Sequence, residues 1–201
     1  MIPASGALDL SGSSSHIAFM KLVLAATGAS GAIYLQRLLA KTPVTVHEVH
    51  LLLSRHAKQV IAQELDEFIV PDGVHQHIDG VGMDVPFVSG SAKFDAMVIV
   101  PCSMGTVGRI ASGSSESTLL RAADVFLKER RKLILVPRES PWNLIHARNV
   151  VTLLEAGAVI MPASPSFYCR PRTIEAVVDT IVERVLDQLG IEPLNAYRWK
   201  S

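Results

Sequence analysis

The sequence has few cysteines and no excess of charge, and each absence argues against a class of protein. Only two of the 201 residues are cysteines, Cys102 and Cys169, and they do not form a C-x-x-C pair, so neither a disulfide scaffold nor a thiolate zinc site is expected. The same scarcity fits a reducing cytoplasm. The 19 basic residues balance the 19 acidic ones, which argues against a nucleic-acid groove or a basic membrane patch. We therefore expect a cytoplasmic protein with a small-molecule partner.

Long apolar runs are also missing. Hydrophobic residues make up 49% of the chain, yet no uninterrupted apolar run approaches the roughly 20 residues of a membrane-spanning helix. We expect no membrane association. The apolar excess instead indicates surfaces that are buried between the subunits of a homo-oligomer.

The first 19 residues, MIPASGALDLSGSSSHIAF, differ in composition from the rest of the chain. They are rich in serine and glycine and lack both a basic start and a sustained apolar stretch, so they predict neither a secretory signal nor a strand or helix. We expect a flexible extension over residues 1–19 and a single folded domain over residues 20–201, with Met20 as a candidate native start.

From Met20 onward, β-branched apolar runs alternate with amphipathic stretches. Strands are predicted over 21–27, 47–53, 95–100, 132–137 and 157–162. Helices are predicted over 30–40, 55–66, 115–129, 143–156 and 173–189. The alternation predicts an α/β fold, a three-layer αβα sandwich with a Rossmann-like or flavodoxin-like parallel sheet. Ligands of such sheets bind beyond the carboxyl ends of the strands.

Turns with hydroxyl side chains follow the first three predicted strands. They are the segment TGASG over 27–31, Ser54, and the segment PCSMGT over 101–106. Each serine taken alone is most simply a helix cap. Because the turns share one edge of the sheet, together they predict a site for a phosphate and a polyol chain. The glycine turn at Gly28 and Gly31 also predicts a phosphate seat at the start of the first helix.

Charged side chains follow the later strands. The segment LVPRESPWN places Arg138 and Glu139 after the fourth strand, and MPASPSFYCRP leads to Tyr168 after the fifth. An arginine beside a glutamate is either a surface ion pair or, in a cleft, a phosphate clamp with a proton donor. Lys128, in DVFLKERRK, is most simply part of a solvated helix end.

Histidines give little reason to expect a metal. His75 and His77, in PDGVHQHIDG, have a spacing that a metal could use, but no third ligand lies nearby in sequence and the surroundings indicate a polar loop. His47 and His50 flank a predicted strand and are expected to be packing or surface groups. Cys102 is expected to be a small buried residue.

Five motifs in this order carry a more specific resemblance. TGASGA, PCSMGT, RAADVFLKERR, LVPRESP and SFYCRP, followed by Arg198-Trp199, resemble the UbiX/Pad family of flavin prenyltransferases from Met20 to the end of the chain. The resemblance implies a flavodoxin-like flavoprotein that assembles through trimers into a dodecamer. It implies transfer of a dimethylallyl group from dimethylallyl phosphate to reduced FMN, without a metal. The product, prenylated FMN, would serve a UbiD-type decarboxylase, with a link to ubiquinone biosynthesis.

The same resemblance assigns roles to residues. FMN binding falls to Gly28, Ala29, Ser30, Ser54, Ser103, Met104, Gly105, Thr106 and Arg138. Binding of the prenyl donor falls to Ser89, Gly90, Lys128, Arg138, Glu139, Tyr168 and Arg184, in a pocket shared between neighbouring subunits. The expected catalytic residues are Ser30, Glu64, Lys128 and Glu139.

These residue types suit the implied reaction. Ionising an allylic phosphate needs cations that hold the departing phosphate and an acid that protonates it, for which Glu139 is the candidate. Glu64 with Ser30 would handle the proton that is lost when the new ring closes. No two aspartates are adjacent, so the D-D-x-x-D metal site of diphosphate-using prenyltransferases is absent. One departure is Glu116-Ser117, where many relatives are expected to have Asp-Asn, and it leaves the positioning of Arg121 open.

Two other functions remain open on the sequence. A flavin-dependent cysteine decarboxylase would share the fold, but it would be expected to have a catalytic histidine and a P-x-M-N segment where this chain has PRESPWN. A non-enzymatic FMN carrier is disfavoured by the 5% aromatic content, because such carriers usually sandwich the flavin between rings. Whether the donor is the monophosphate or the diphosphate also stays open.

Overall fold

The computed structural model describes residues 18–80 and 82–192, which form a six-stranded parallel sheet flanked by helices. The strands are β1 (Lys21–Ala26), β2 (Glu48–Leu53), β3 (His75–Ile78), β4 (Ala96–Cys102), β5 (Lys132–Pro137) and β6 (Val159–Ile160). The helices are α1 (Ala32–Lys41), α2 (Arg55–Glu64), α3 (Met104–Ala111), α4 (Thr118–Lys128), α5 (Leu144–Glu155) and α6 (Ile174–Leu189). The strand order is β3-β2-β1-β4-β5-β6.

The two faces of the sheet bury separate clusters of apolar side chains. Along the central strand β1, Leu22 and Leu24 face a core built with α1, α2 and α6. Val23 and Ala25 point the other way, into a core built with α3, α4 and α5. Both sets are fully buried, as expected for parallel strands covered on both faces. The α/β three-layer prediction is therefore confirmed.

Three elements differ from the prediction. His75–Ile78 is not a polar loop but the edge strand β3, which pairs with β2 and leaves mostly exposed side chains, so it lacks the apolar run that marked the other strands. Met104–Ala111 is a complete helix, α3, where only a helix start was predicted. Helix α1 begins at Ala32 rather than residue 30, because Gly31 adopts a left-handed φ of 113°.

Several predictions fall at the ends of the chain. Most of the extension over 1–19, and Arg198-Trp199, lie outside the described residues. None of the helices in the described ranges combines the length and the apolar character that a membrane-spanning segment requires.

Candidate active site

A cavity of about 250 Å³ lies at the carboxyl edge of the sheet, where α2, α3 and α4 begin. Its lining consists of Thr27, Gly28, Ser54, Arg55, His56, Asp79, Ser103, Thr106, Arg109, Ser117, Leu119 and Leu120. A serine caps each of the three helices: Ser54 accepts from the Ala57 N–H (3.1 Å), Ser103 from Thr106 N–H and Ser117 from Leu120 N–H (both 3.3 Å). Three positive helix ends thus surround the cavity, which suits an anion.

A side-chain strap joins β1 to the turn after β4. The Thr27 hydroxyl donates to the Pro101 carbonyl (3.2 Å) and accepts from the Ser103 N–H (2.7 Å). The hydroxyls of Ser103 and Thr106 lie 3.0 Å apart. The strap brings the first and third hydroxyl turns together at the edge that the sequence indicated.

The other predicted FMN-binding residues of these turns contribute mainly backbone. Ala29 and Met104 are each 5% exposed, so their side chains belong largely to the core, whereas the buried Thr106 lines the cavity and its hydroxyl lies beside that of Ser103. Gly105 lies in the first turn of α3 with open space beside it. Their assignment to FMN binding stays a prediction.

Gly28 is required by the close approach of α2. A Cβ at this position would lie 2.5 Å from His56 Cβ, next to the backbone of α2, so the first turn of α2 would have to move. The glycine therefore lets the β1 turn pack against the helix whose N-terminus faces the cavity.

We expect Gly28→Ala to lower the free energy of unfolding of the FMN-free protein by about 1–3 kcal/mol through this overlap. The matched control is Gly105→Ala, because a Cβ there meets nothing within 4 Å and alanine favours a helix over glycine by about 1 kcal/mol. Denaturant titrations measure both. Equal effects of the two changes would contradict the steric role of Gly28.

The carboxylate of Glu64, the last residue of α2, lies at the start of α1. Its Oε2 accepts from the N–H groups of Gly31 and Ala32, both at 2.8 Å. Burial raises the pKa of Glu64, but hydrogen bonds from the Ser30 side chain and these two N–H groups, with the nearby charge of Arg138, outweigh it and lower the pKa below its usual value. The carboxylate from the end of α2 therefore takes the seat at which the sequence predicted a phosphate. The N-termini of α2 and α3 are the positions that remain for an incoming phosphate.

Arg138 and Glu139 follow β5 at the same edge. The Arg138 N–H donates to the Cys102 carbonyl (3.1 Å) and its Nε donates to the Ser30 carbonyl (3.1 Å), so the guanidinium lies beside the glycine turn. Glu139 is exposed and its carboxylate accepts from the Ser140 N–H (3.1 Å). Ser30, Glu64 and Arg138 thus form one contact group, with Glu139 next to it in sequence.

The structure places Lys128, Ser89 and Gly90 elsewhere. Lys128 ends α4, whose 11 residues span about 16 Å from the cavity to the amino edge of the sheet. Gly90 lies against it, since a Cβ there would be 2.7 Å from Lys128 Nζ. Ser89 and Ser91 join their hydroxyls at 2.8 Å. One chain therefore does not bring these residues to the carboxyl-edge cavity.

Tyr168 and Arg184 belong to the last part of the described chain. Tyr168 is 74% exposed, in the connection between β6 and α6. Arg184, in the second half of α6, pairs with Asp187 at 2.7 Å. Their assignment to a shared donor pocket is not tested by a single chain.

The departure at Glu116-Ser117 has a structural account. Ser117 caps α4, a role that asparagine also fills, and Glu116 approaches Arg109 at 3.8 Å. Arg121 is held by its own helix, through Asp124 (2.8 Å), and donates to the Val88 carbonyl (3.3 Å). Arg121 therefore faces the segment that carries Ser89 and Gly90.

Sequence reasoning missed four polar residues of the cavity: Arg55, His56, Asp79 and Arg109. Asp79 follows β3 and accepts from the Leu119 N–H (2.9 Å), so it offsets the positive end of α4. Predicting β3 as a strand would have placed Asp79 at the carboxyl edge with the serines.

The thiol and the metal candidates take no part in this site. Cys102 is fully buried as expected, and burial raises the pKa of its thiol to about 12. Among the residues that the structure describes, no group of three or more His, Cys, Asp or Glu side chains is arranged to hold a metal. His77 instead lies beside His50, which is 5% exposed, with 2.9 Å between His77 Nε2 and His50 Nδ1.

The chain matches known proteins over most of its length. The family model described as Flavoprotein matches residues 10–186. The chain is 42% identical to the flavin prenyltransferase UbiX of Methanocaldococcus jannaschii, over 90% of this chain and 98% of that protein. It is similar, at TM-score 0.85 and 38% identity, to the dodecameric FMN-dependent UbiX-like decarboxylase from Escherichia coli O157:H7, over 90% of this chain and 100% of the other. The same score and identity relate it to AnUbiX (PadA1) in complex with FMN and dimethylallyl pyrophosphate, over 92% of this chain and 99% of the other.

Proposed function

This chain belongs to the UbiX family of flavoproteins, and from that membership and its site we infer that it is a flavin prenyltransferase, joining a dimethylallyl group to reduced FMN. The product is prenylated FMN, which goes to a UbiD-type decarboxylase. The observation that carries the proposal is the cavity ringed by three serine-capped helix N-termini, with the Ser30, Glu64 and Arg138 group at its glycine turn.

The cavity suits the phosphate and polyol chain of FMN. Ser54 and Ser103 begin helices whose N–H groups and positive ends favour a phosphate, and Arg55 and Arg109 add positive charge. Asp79 disfavours the phosphate at α4, so the polyol hydroxyls belong on that side. When bound, reduced FMN supplies the electron-rich ring that accepts the prenyl group.

The leaving phosphate of the donor requires cations and an acid. Arg138 supplies charge beside Ser30, and Glu139 supplies the proton from the exposed turn that follows β5. Lys128, Tyr168 and Arg184 complete the donor pocket from neighbouring subunits.

A homo-oligomer, a dodecamer built from trimers, is part of the proposal. It is supported by the roughly 16 Å of helix between Lys128 and the cavity within one chain. It is also supported by large apolar side chains that are at least 64% exposed around α5 and the start of α6, namely Leu144, Ile145, Phe167 and Ile174.

The location and the extension also belong to the proposal. We place the protein in the cytoplasm, consistent with two free cysteines, Cys102 and Cys169.

We also propose that residues 1–19 are dispensable, because β1 begins at Lys21 and Met20 is already held by the His47 ring and the Glu48 N–H. Deleting residues 1–19 is expected to leave melting temperature and flavin content nearly unchanged. A clear drop in either would show that the extension docks on the body.

The reaction itself can be tested with the flavin as the readout. Protein with anaerobically reduced FMN is incubated with dimethylallyl phosphate or with dimethylallyl pyrophosphate, and the extracted flavin is weighed by mass spectrometry. We expect the flavin to gain one five-carbon prenyl group, with the faster donor identifying the substrate. Unmodified FMN with both donors would reject the prenyltransferase and leave the decarboxylase alternative.

A further inference from the structure

A hydrogen-bonded chain of ionisable side chains lies on the sheet face that carries α4, away from the cavity. His50 Nδ1 is 2.9 Å from His77 Nε2, and His50 Nε2 is 3.0 Å from Glu48 Oε1. Glu48 also pairs with Lys21 at 2.7 Å. These hydrogen-bonded side chains therefore form a row from β1 through β2 to the edge strand β3.

The positions of the protons on these side chains follow from their hydrogen-bond partners. The hydrogen bond from Lys21, aided by His50, lowers the pKa of Glu48 despite some burial, so Glu48 is an acceptor only. His50 Nε2 must then carry the hydrogen that faces Glu48, which leaves His50 Nδ1 to accept from His77 Nε2–H. Both rings are neutral in this arrangement.

The segment 86–94, which begins with the short 3-10 helix Pro86–Val88, covers these histidines. Phe87 packs edge-to-face on His50 (5.6 Å) and on His77 (5.2 Å), and Phe94 packs edge-to-face on His50 (5.1 Å). Both phenyl rings are at most 4% exposed. Ser89 and Gly90 lie between these two anchors, so the histidines hold both ends of the segment 86–94.

The other side of the segment is fixed by arginines. Arg131 donates to the carbonyls of Gly90 (2.7 Å) and Ala92 (2.6 Å), and Arg121 donates to the Val88 carbonyl (3.3 Å). These guanidinium groups stay charged at every pH of interest. Within the described contacts of the segment, the groups that titrate near neutral pH are thus the histidines beneath it.

We propose that the neutral His50–His77 pair positions the segment 86–94, and that protonation of the pair loosens the segment and weakens binding of the prenyl donor. The effect on the donor rests on the proposed function and on the assignment of Ser89 and Gly90 to the prenyl-donor site, which the family resemblance implies. The effect on the segment does not.

The surroundings of the pair favour the neutral state. Burial is the main reason that the pKa of His50 is lowered; His75 on β3 and Lys21 on β1 lower it further, and Glu48 on β2 opposes them. Burial also lowers the pKa of His77, with His50 and His75 adding to the effect. The covering segment contributes two uncharged rings, and Asp95 beyond it accepts from the Lys21 N–H (2.7 Å).

The direction of the pH effect follows from these shifts. A histidine whose folded pKa is depressed binds fewer protons than it does in water, so the closed segment loses stability as pH falls through about 6.5 and until the folded pKa is reached. If opening exposes the pair to water, the opening equilibrium rises up to about tenfold for each pH unit and each histidine in that window, or up to about a hundredfold per pH unit for the pair. Above pH 7 it is constant.

Hydrogen exchange of the FMN complex between pH 7.5 and 5.5 tests the segment directly. After correction for the intrinsic pH dependence of exchange, we expect protection of residues 86–94 to fall up to about a hundredfold per pH unit below 6.5 in the wild type, because two histidines take up protons. His77→Gln keeps a donor for His50 Nδ1 but removes one of the two titrating rings, so its protection should fall only up to about tenfold per pH unit, through His50 alone. His75→Gln is the matched control on the same strand, because it leaves both rings and the His50–His77 bond in place. It removes only the smaller effect of His75 on their pKa values, so its protection should fall with a slope close to that of the wild type.

Kinetics with dimethylallyl phosphate supply the second readout. The donor KM should rise with acid in the wild type and in His75→Gln and less steeply in His77→Gln, while the FMN Kd stays constant in all three. A wild-type segment whose corrected protection does not change with pH, or a His77→Gln variant as pH-sensitive as the wild type, would overturn the inference. If protection changes as expected but no flavin is prenylated at any pH, the proposed function fails and the positioning of the segment stands.

Discussion

Replacing Glu139 with glutamine is expected to slow formation of the first flavin–prenyl bond by about 10²–10⁴-fold while FMN still binds, because the variant keeps the shape of the side chain and loses only the acid. The turn that carries Glu139 supports this separation. Its carboxylate accepts from its neighbour Ser140 rather than from a residue of the FMN cavity, and its carbonyl accepts from Trp142 Nε1 (3.1 Å). Glutamine can accept the same Ser140 N–H, so the turn should persist.

The measurement is stopped-flow absorbance of the reduced FMN complex after mixing with donor, with the flavin mass read from quenched samples. Glu155→Gln is the matched control, because it makes the same change at an exposed position at the end of α5. We expect the control to react at the wild-type rate. A Glu139→Gln rate equal to that of the control, with FMN and donor bound, would remove Glu139 from the role of acid.

The sheet could be predicted from the sequence because its central strands are buried on both faces. Within the runs at 21–27 and 132–137, residues 22–26 and 133–137 are apolar throughout, and a parallel sheet covered by helices is the fold that buries such runs. The side chains of the edge strand β3 are partly or fully exposed. Its sequence, HQHI, therefore contains no apolar run that would mark it as a strand. Missing β3 also hid Asp79, whose position at the cavity depends on that strand.

The candidate site was predictable in part for a similar reason. The hydroxyl turns follow strands, so the rule that parallel strands end at one edge brings them together. The contact of Glu64 with the start of α1 joins positions 33 residues apart, which no local pattern reveals. Only the resemblance to a family had paired Glu64 with Ser30. The packing of Phe87 and Phe94 on His50 is equally non-local, and the sequence predicted only that His50 is a packing or surface group.

The roles proposed for Glu64 and Glu139 can be distinguished because they involve different protons. Ring closure adds a proton to the prenyl double bond and removes one from the flavin carbon that forms the new bond, so it changes the structure of the product but not its mass. Glu64 is suited to removing the proton from the flavin carbon, because the Ser30 side chain hydrogen-bonds to the Glu64 carboxylate and its hydroxyl can pass on a proton. Its carboxylate also stays ionised at neutral pH, because the lowered pKa means that protonation and loss of this contact occur only in stronger acid.

Glu64→Gln is therefore expected to form the first bond and then to accumulate a singly linked prenyl flavin, with ring closure slowed by about 10²–10⁴-fold. Mass spectrometry should show the added prenyl group, and absorbance should show that the ring has not closed. The variant also replaces the carboxylate at the start of α1 with a neutral amide. We therefore expect the free energy of unfolding to fall by about 1 kcal/mol. Glu67→Gln is the matched control, three residues further along and exposed. If Glu64→Gln closes the ring as fast as Glu67→Gln, the carboxylate serves only to hold the helix, and the proton must leave by another route.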